Sequence, residues 1–141
     1  MSVRVLWVDK DVEDEVKTLG NLLGKNSTVQ HEMDSFTAYL QHKSEELDLL
    51  VLDASQDEVF TAAEIGREDY YHFSERWKIT NQNLYVIATS VMGGWFLHQE
   101  AKGEEMQYDE RIKIGFPNCQ NRKSLPNRIY EIIKKTGRWE L

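Results

Sequence analysis

The sequence has one cysteine, Cys119, and two prolines, Pro117 and Pro126. A single thiol excludes an intrachain disulfide and the usual thiolate zinc sites, and it fits a reducing, cytoplasmic compartment. Long hydrophobic runs are absent. The longest apolar stretches, LDLLVL and LYVIA, fall far short of the roughly 20 residues a bilayer needs, and the apolar start is broken at once by Asp9, Lys10 and Asp11, so neither a membrane span nor a signal peptide is expected. No glycine-rich phosphate loop occurs: Gly93-Gly94 has neither GxGxxG nor P-loop spacing around it, which leaves dinucleotide binding unsupported. Positive charge is short as well. Seventeen Lys and Arg face 24 Asp and Glu, for a net charge of −7, which argues against sequence-independent nucleic-acid binding. Basic residues gather only near the C-terminus (Arg122, Lys123, Arg128, Lys134, Lys135, Arg138), where a solvated helix face is the simplest reading. The histidines at 31, 42, 72 and 98 show no i, i+4 pairing and no neighbouring cysteine, so they read as surface residues, and Cys119 has no partner that would make it a nucleophile.

What is present describes one ordinary domain over residues 1–141, without repeat or linker, whose 40% hydrophobic and 29% charged residues suffice for a core. Val3 to Val8 and Leu47 to Leu52 are short apolar runs that each stop at an aspartate, as strands buried on both faces do. Between them Val12, Val16, Leu19 and Leu23 recur at helical spacing, Thr28 to Met33 alternates, and Phe36, Tyr39 and Leu40 mark a helix opened by Ser35. After the polar segment ASQDEVF, Thr61 to Glu64 has the form of a capping box, with Ile65, Tyr70, Phe73 and Trp77 on one helical stripe. Leu84 to Thr89 is the next strand, Trp95 to Lys102 a helix, GEEMQYDE a polar loop, and Ile112 to Gly115 a short strand. A last helix starts at Ser124, carries Leu125, Ile129, Ile132 and Ile133 on one face and stops at Gly137.

Five strands alternating with five helices predict a doubly wound, flavodoxin-like parallel sheet in three α/β/α layers. In such sheets ligands sit beyond the carboxyl ends of the strands, where Asp9, Asp53 and Ser90 all fall. Carboxylates gathered there repel one another and call for a hard cation such as Mg²⁺, beside which an aspartate can accept a phosphoryl group.

The pattern resembles the receiver domain of two-component response regulators over nearly the whole chain. VRVLWVDKD looks like the family's first strand and acidic pair; LDLLVLD like the strand ending in the phosphate-accepting aspartate, here Asp53; LYVIATS like the strand ending in the switch hydroxyl, Ser90 or, one residue earlier, Thr89; IKIGFP like the fifth strand and its proline, Pro117. The resemblance implies Mg²⁺ held by Asp9 and Asp53, with Asp11 a weak third ligand, a histidine kinase as phosphodonor and a downstream target protein. At most it implies self-phosphorylation, not an enzyme, and no organic cofactor. Two departures mark an atypical or degenerate receiver: Lys10 stands where the family has its second acid, and Phe116 where it has a lysine, with Lys113 three residues too early to replace it. The Lys10 ammonium, beside Asp9, is a candidate to reach Asp53 in place of metal charge. Trp95 and Phe96 cannot both face one core, which suggests a partner surface or a homodimer through the fourth and fifth helices. The readings therefore are a stand-alone signalling domain acting through protein contacts, a flavodoxin-like enzyme or small-molecule or nucleotide-binding domain using the same strand ends, or a structural subunit.

Overall fold

The computed structural model describes residues 2–59, 71–115 and 121–139. Five strands, β1 (Arg4–Val8), β2 (Thr28–Glu32), β3 (Leu49–Asp53), β4 (Tyr85–Val91) and β5 (Glu110–Ile114), form one parallel sheet in the order β2-β1-β3-β4-β5. Around it lie α1 (Glu13–Leu23), α2 (Ser35–Gln41), α3 (Phe73–Thr80), α4 (Gly94–Ala101) and α5 (Leu125–Thr136). This is the flavodoxin-like doubly wound arrangement expected from the alternation of strand and helix patterns.

Strand residues alternate between two cores. Val5, Trp7, Leu49, Val51, Ile87, Ile112 and Ile114 pack with Leu19, Leu23, Ile129 and Ile133 of α1 and α5. Leu6, Val8, Leu50, Leu52, Val86 and Ala88 face the other way, toward Ala38, Phe73, Trp77 and Phe96 of α2, α3 and α4. β1 and β3 are buried on both faces, which is why each reads as an unbroken apolar run.

The helices follow from local chemistry. α1 has no side-chain cap at Val12, but Glu13, Asp14 and Glu15 put negative charge on its exposed first-turn N–H groups. α2 is capped by Asp34, whose Oδ1 accepts from Thr37 N at 2.7 Å; the expected cap, Ser35, lies inside the helix with a buried, unpartnered hydroxyl. α5 carries Pro126 in its first turn and ends at Gly137 in the left-handed region (φ 65°). Two boundaries differ from the sequence reading. β4 runs two residues further, to Val91, because its ladder with β5 continues through Ser90↔Lys113 and Val91↔Ile114. The loop before β5 is not simply polar, since Met106 and Tyr108 are buried. The capping box at Thr61 to Glu64, with Ile65 and Tyr70, lies outside the described residues, as do Phe116, Pro117 and Cys119.

Candidate functional site

The switch point of strand order lies between β1 and β3, and Asp9 and Asp53 stand at the carboxyl ends of these two strands. Strand alternation decides which neighbours join them. Asp53 is paired in register with Thr89, and Thr89 with Ile112, so these side chains share the α1/α5 face of the sheet with Trp7 and Val51. Ser90 points to the opposite face. Its Oγ accepts from Trp95 N at 2.9 Å and so caps the first turn of α4. Thr89, by contrast, is fully buried and its Oγ1 has no hydrogen-bond partner. Of the two hydroxyls read from LYVIATS, Thr89 is the one beside Asp53.

Asp9 is 1% exposed and its main chain is pinned by β2: its N–H donates to Glu32 O at 3.1 Å, and His31 Nε2 donates to its carbonyl at 2.6 Å. His31 is therefore half-buried beside the site rather than a surface residue. The carboxylate is less well served. Oδ1 takes the Arg122 guanidinium at 3.2 Å and a long contact from Asp11 N at 3.5 Å, while buried Oδ2 has no partner. Burial, with the neighbouring Asp53 charge, holds the Asp9 carboxyl above its usual range, and the Arg122 pair pulls back only part of that rise. Asp53 is half-buried and its Oδ1 accepts from Ser55 N at 3.0 Å, capping a short 3-10 turn over Ala54–Gln56.

Arg122 is the residue that sequence reasoning missed. Its sequence neighbours put it on a solvated face with the other C-terminal cations, yet the aspartate it meets lies 113 positions away. A 3-10 turn over Arg122–Ser124 presents it, locked by a capping box in which Asn121 Oδ1 accepts from Ser124 N, directly ahead of buried Leu125 and Pro126. The other expected cation does not act here: Lys10 is exposed, and among the described residues no hydrogen bond or ion pair joins it to Asp9 or Asp53. The Asp11 carboxylate is also exposed, and only its backbone turns to Asp9. Lys113 pairs in register with Ser90, off the site, and its stem packs over Gly93.

The residues present do not fit a resident divalent cation. Only Asp9 Oδ2 is open on that carboxylate, a guanidinium holds the other oxygen, a lysine follows in sequence, and among the described residues no three Asp, Glu, His or Cys side chains converge.

The loop leaving β4 is tightly made. Met92 has a positive φ of 53° and Gly93 one of 72°, and Met92 lies over Gly115, where a Cβ would collide with its sulfur. Val91, Met92 and Trp95 are exposed around this loop, whereas Phe96 is buried against Tyr108, so of the aromatic pair only Trp95 is open to a partner.

A second buried aspartate lies on the other face. Asp57 Oδ1 accepts from Ser74 N at 2.8 Å, and its Oδ2 accepts from Ser74 Oγ at 2.6 Å and Tyr108 Oη at 2.7 Å. Gln99 Nε2 donates in turn to Tyr108 Oη at 2.9 Å, and His72 Nδ1 donates to the Asp57 carbonyl at 2.6 Å.

No family model matches the chain. Among solved structures it is similar to the REC domain of AraT, a response regulator from Geobacillus stearothermophilus, at 15% identity, with 98% of this chain and 100% of that one covered and a TM-score of 0.57. The response regulator domain of Thermotoga maritima CheB is similar at 14% identity over 100% of both chains, with a TM-score of 0.57. The BeF3-activated DrrB receiver domain is similar at 17% identity over 95% and 99% of the two chains, with a TM-score of 0.54. With strand order 2-1-3-4-5 and near-complete mutual coverage, this chain has the fold of response-regulator receiver domains.

Proposed function

We propose that the chain is a receiver-type signalling domain that works through contacts with other proteins, and that its acidic site is degenerate. Asp53 keeps the phosphoacceptor position and Thr89 the position of the sensing hydroxyl, but the Arg122 guanidinium holds the Asp9 carboxylate that would serve a divalent cation. The observation that carries the reading is the pairing of Asp9 with Arg122 at the switch point of a receiver fold. Exposed Val91, Met92 and Trp95 beside the β4–α4 loop support a role in protein contact. The partner is a protein or a second copy meeting the α4 side through Trp95. A lone cysteine and a net charge of −7 agree with a cytoplasmic domain that leaves nucleic acid alone.

The test is treatment of the wild-type domain with a small phosphodonor, with and without Mg²⁺, followed by intact-mass spectrometry. The expected result is no aspartyl phosphate beyond background in either condition. Stoichiometric, Mg²⁺-dependent phosphorylation that Asp53→Asn abolishes would replace this reading with that of a working switch driven by a histidine kinase.

A further inference from the structure

The disagreement between the site and a metal has a specific cause. Burying Asp9 at 1% exposure beside a second carboxylate requires positive charge nearby, because an uncompensated buried anion is strongly unfavourable. A divalent cation is one source of that charge. Here the charge comes from the chain. Arg122 Nη1 lies 3.2 Å from Asp9 Oδ1, and its side chain is 34% exposed, so most of it is covered at the site. Guanidinium is permanently charged, is more weakly hydrated than an ammonium and matches carboxylate geometry, so it can occupy a partly buried anion site without first losing a tight water shell. The turn that carries it is fixed by the Asn121–Ser124 capping box and by Leu125, which is 0% exposed at the start of α5. The open oxygen, Asp9 Oδ2, remains unpartnered, as it would where one positive group stands in for a cation that takes several ligands.

We propose that Arg122 is a built-in counter-ion occupying the place of a divalent cation at Asp9, so that the Asp9 carboxylate is compensated without metal and metal enters only when the guanidinium is removed. The proposal rests on the receiver-type reading above. It assigns to Arg122 the compensating role that the sequence suggested for Lys10.

The test is calorimetric titration with Mg²⁺, paired with thermal unfolding followed by circular dichroism. Wild type shows no saturable Mg²⁺ binding up to ~20 mM and no shift of its unfolding midpoint. Arg122→Gln unfolds at lower temperature without metal, gains saturable binding at least ~tenfold tighter than any wild-type response, and recovers about 3–6 °C when Mg²⁺ is added. Asp9→Asn in the Arg122→Gln background removes that binding. Lys10→Asp with Arg122 intact still binds no Mg²⁺, although it restores the family's missing acid. That variant keeps the proposal testable if Arg122→Gln fails to fold. Saturable Mg²⁺ binding at Asp9 by wild type or by Lys10→Asp overturns the proposal, and so does a folded Arg122→Gln that neither loses stability nor gains binding. Failure of the Arg122→Gln or Lys10→Asp arm alone leaves the receiver-type reading intact, because the phosphodonor experiment on wild-type Asp53 tests that reading separately.

Discussion

Asp9 and Asp57 are both buried carboxylates at the ends of this sheet, at 1% and 5% exposure, and the chain treats them in opposite ways. Asp57 receives three donated hydrogen bonds, two of them on Oδ2, from Ser74 and Tyr108, and Gln99 and His72 extend the network. Asp9 has one guanidinium, one long backbone contact and a bare oxygen. Satisfied polar networks tie segments together and rigidify a core, whereas an unsatisfied buried oxygen costs stability and calls for another reason to be there. The contrast assigns Asp57 to architecture: it joins the β3–α3 connection, α3, α4 and the loop before β5. It assigns Asp9 to function. The same division separates the neighbouring hydroxyls, since Ser90 caps a helix and Thr89, beside Asp53, bonds nothing.

Four changes sharpen or break that division. Tyr108→Phe removes a donor from Asp57 and strands Gln99 Nε2, so it lowers the unfolding free energy by about 2 kcal/mol in urea melts; a loss under about 0.5 kcal/mol means the network is not a structural tie. pH acts next. Burial holds the Asp57 carboxyl above its ordinary 3.8, with the bonds from Ser74 and Tyr108 pulling it partly back. A raised folded value favours the protonated form, so this contribution is full below 3.8 and is lost as pH rises through the folded value. Wild type therefore loses stability relative to Asp57→Asn as pH rises above about 4, and a difference that stays flat as pH rises removes the argument. Ser90→Ala uncaps α4 and costs about 1 kcal/mol. Thr89→Val deletes an unpartnered buried hydroxyl at constant shape, so it is neutral or stabilising by up to about 1 kcal/mol; a clear destabilisation shows that Thr89 has a structural role after all.

How far these features were legible follows from how each is encoded. β1 and β3 were readable because strands buried on both faces must be apolar throughout, and α1 and α5 because one stripe of each meets the core. Asp9 and Asp53 were readable as the polar residues that end those strands. The end of β4 was not, since Ser90 and Val91 look like the start of a loop and only pairing with Lys113 and Ile114 keeps them in the sheet. Arg122 was invisible to any local pattern, because its partner lies across the fold and its turn belongs to no periodic element. The Asp57 network joins segments whose local pattern is that of a polar loop or a helix stripe, so no single segment announces it. One signal was available, however. Met106 and Tyr108 are large apolar residues two positions apart inside the supposed polar loop, and both are buried in the core that faces α3 and α4.

The most direct test of the division is a side-by-side measurement of unfolding free energy for Asp9→Ala and Asp57→Ala in metal-free buffer. The account predicts that Asp57→Ala loses about 3–5 kcal/mol, because three buried donors are left without an acceptor, while Asp9→Ala loses under about 1.5 kcal/mol, because Arg122 keeps access to water. Equal losses, or a larger loss for Asp9→Ala, would show that the Asp9–Arg122 pair is a structural tie and would contradict its assignment to function.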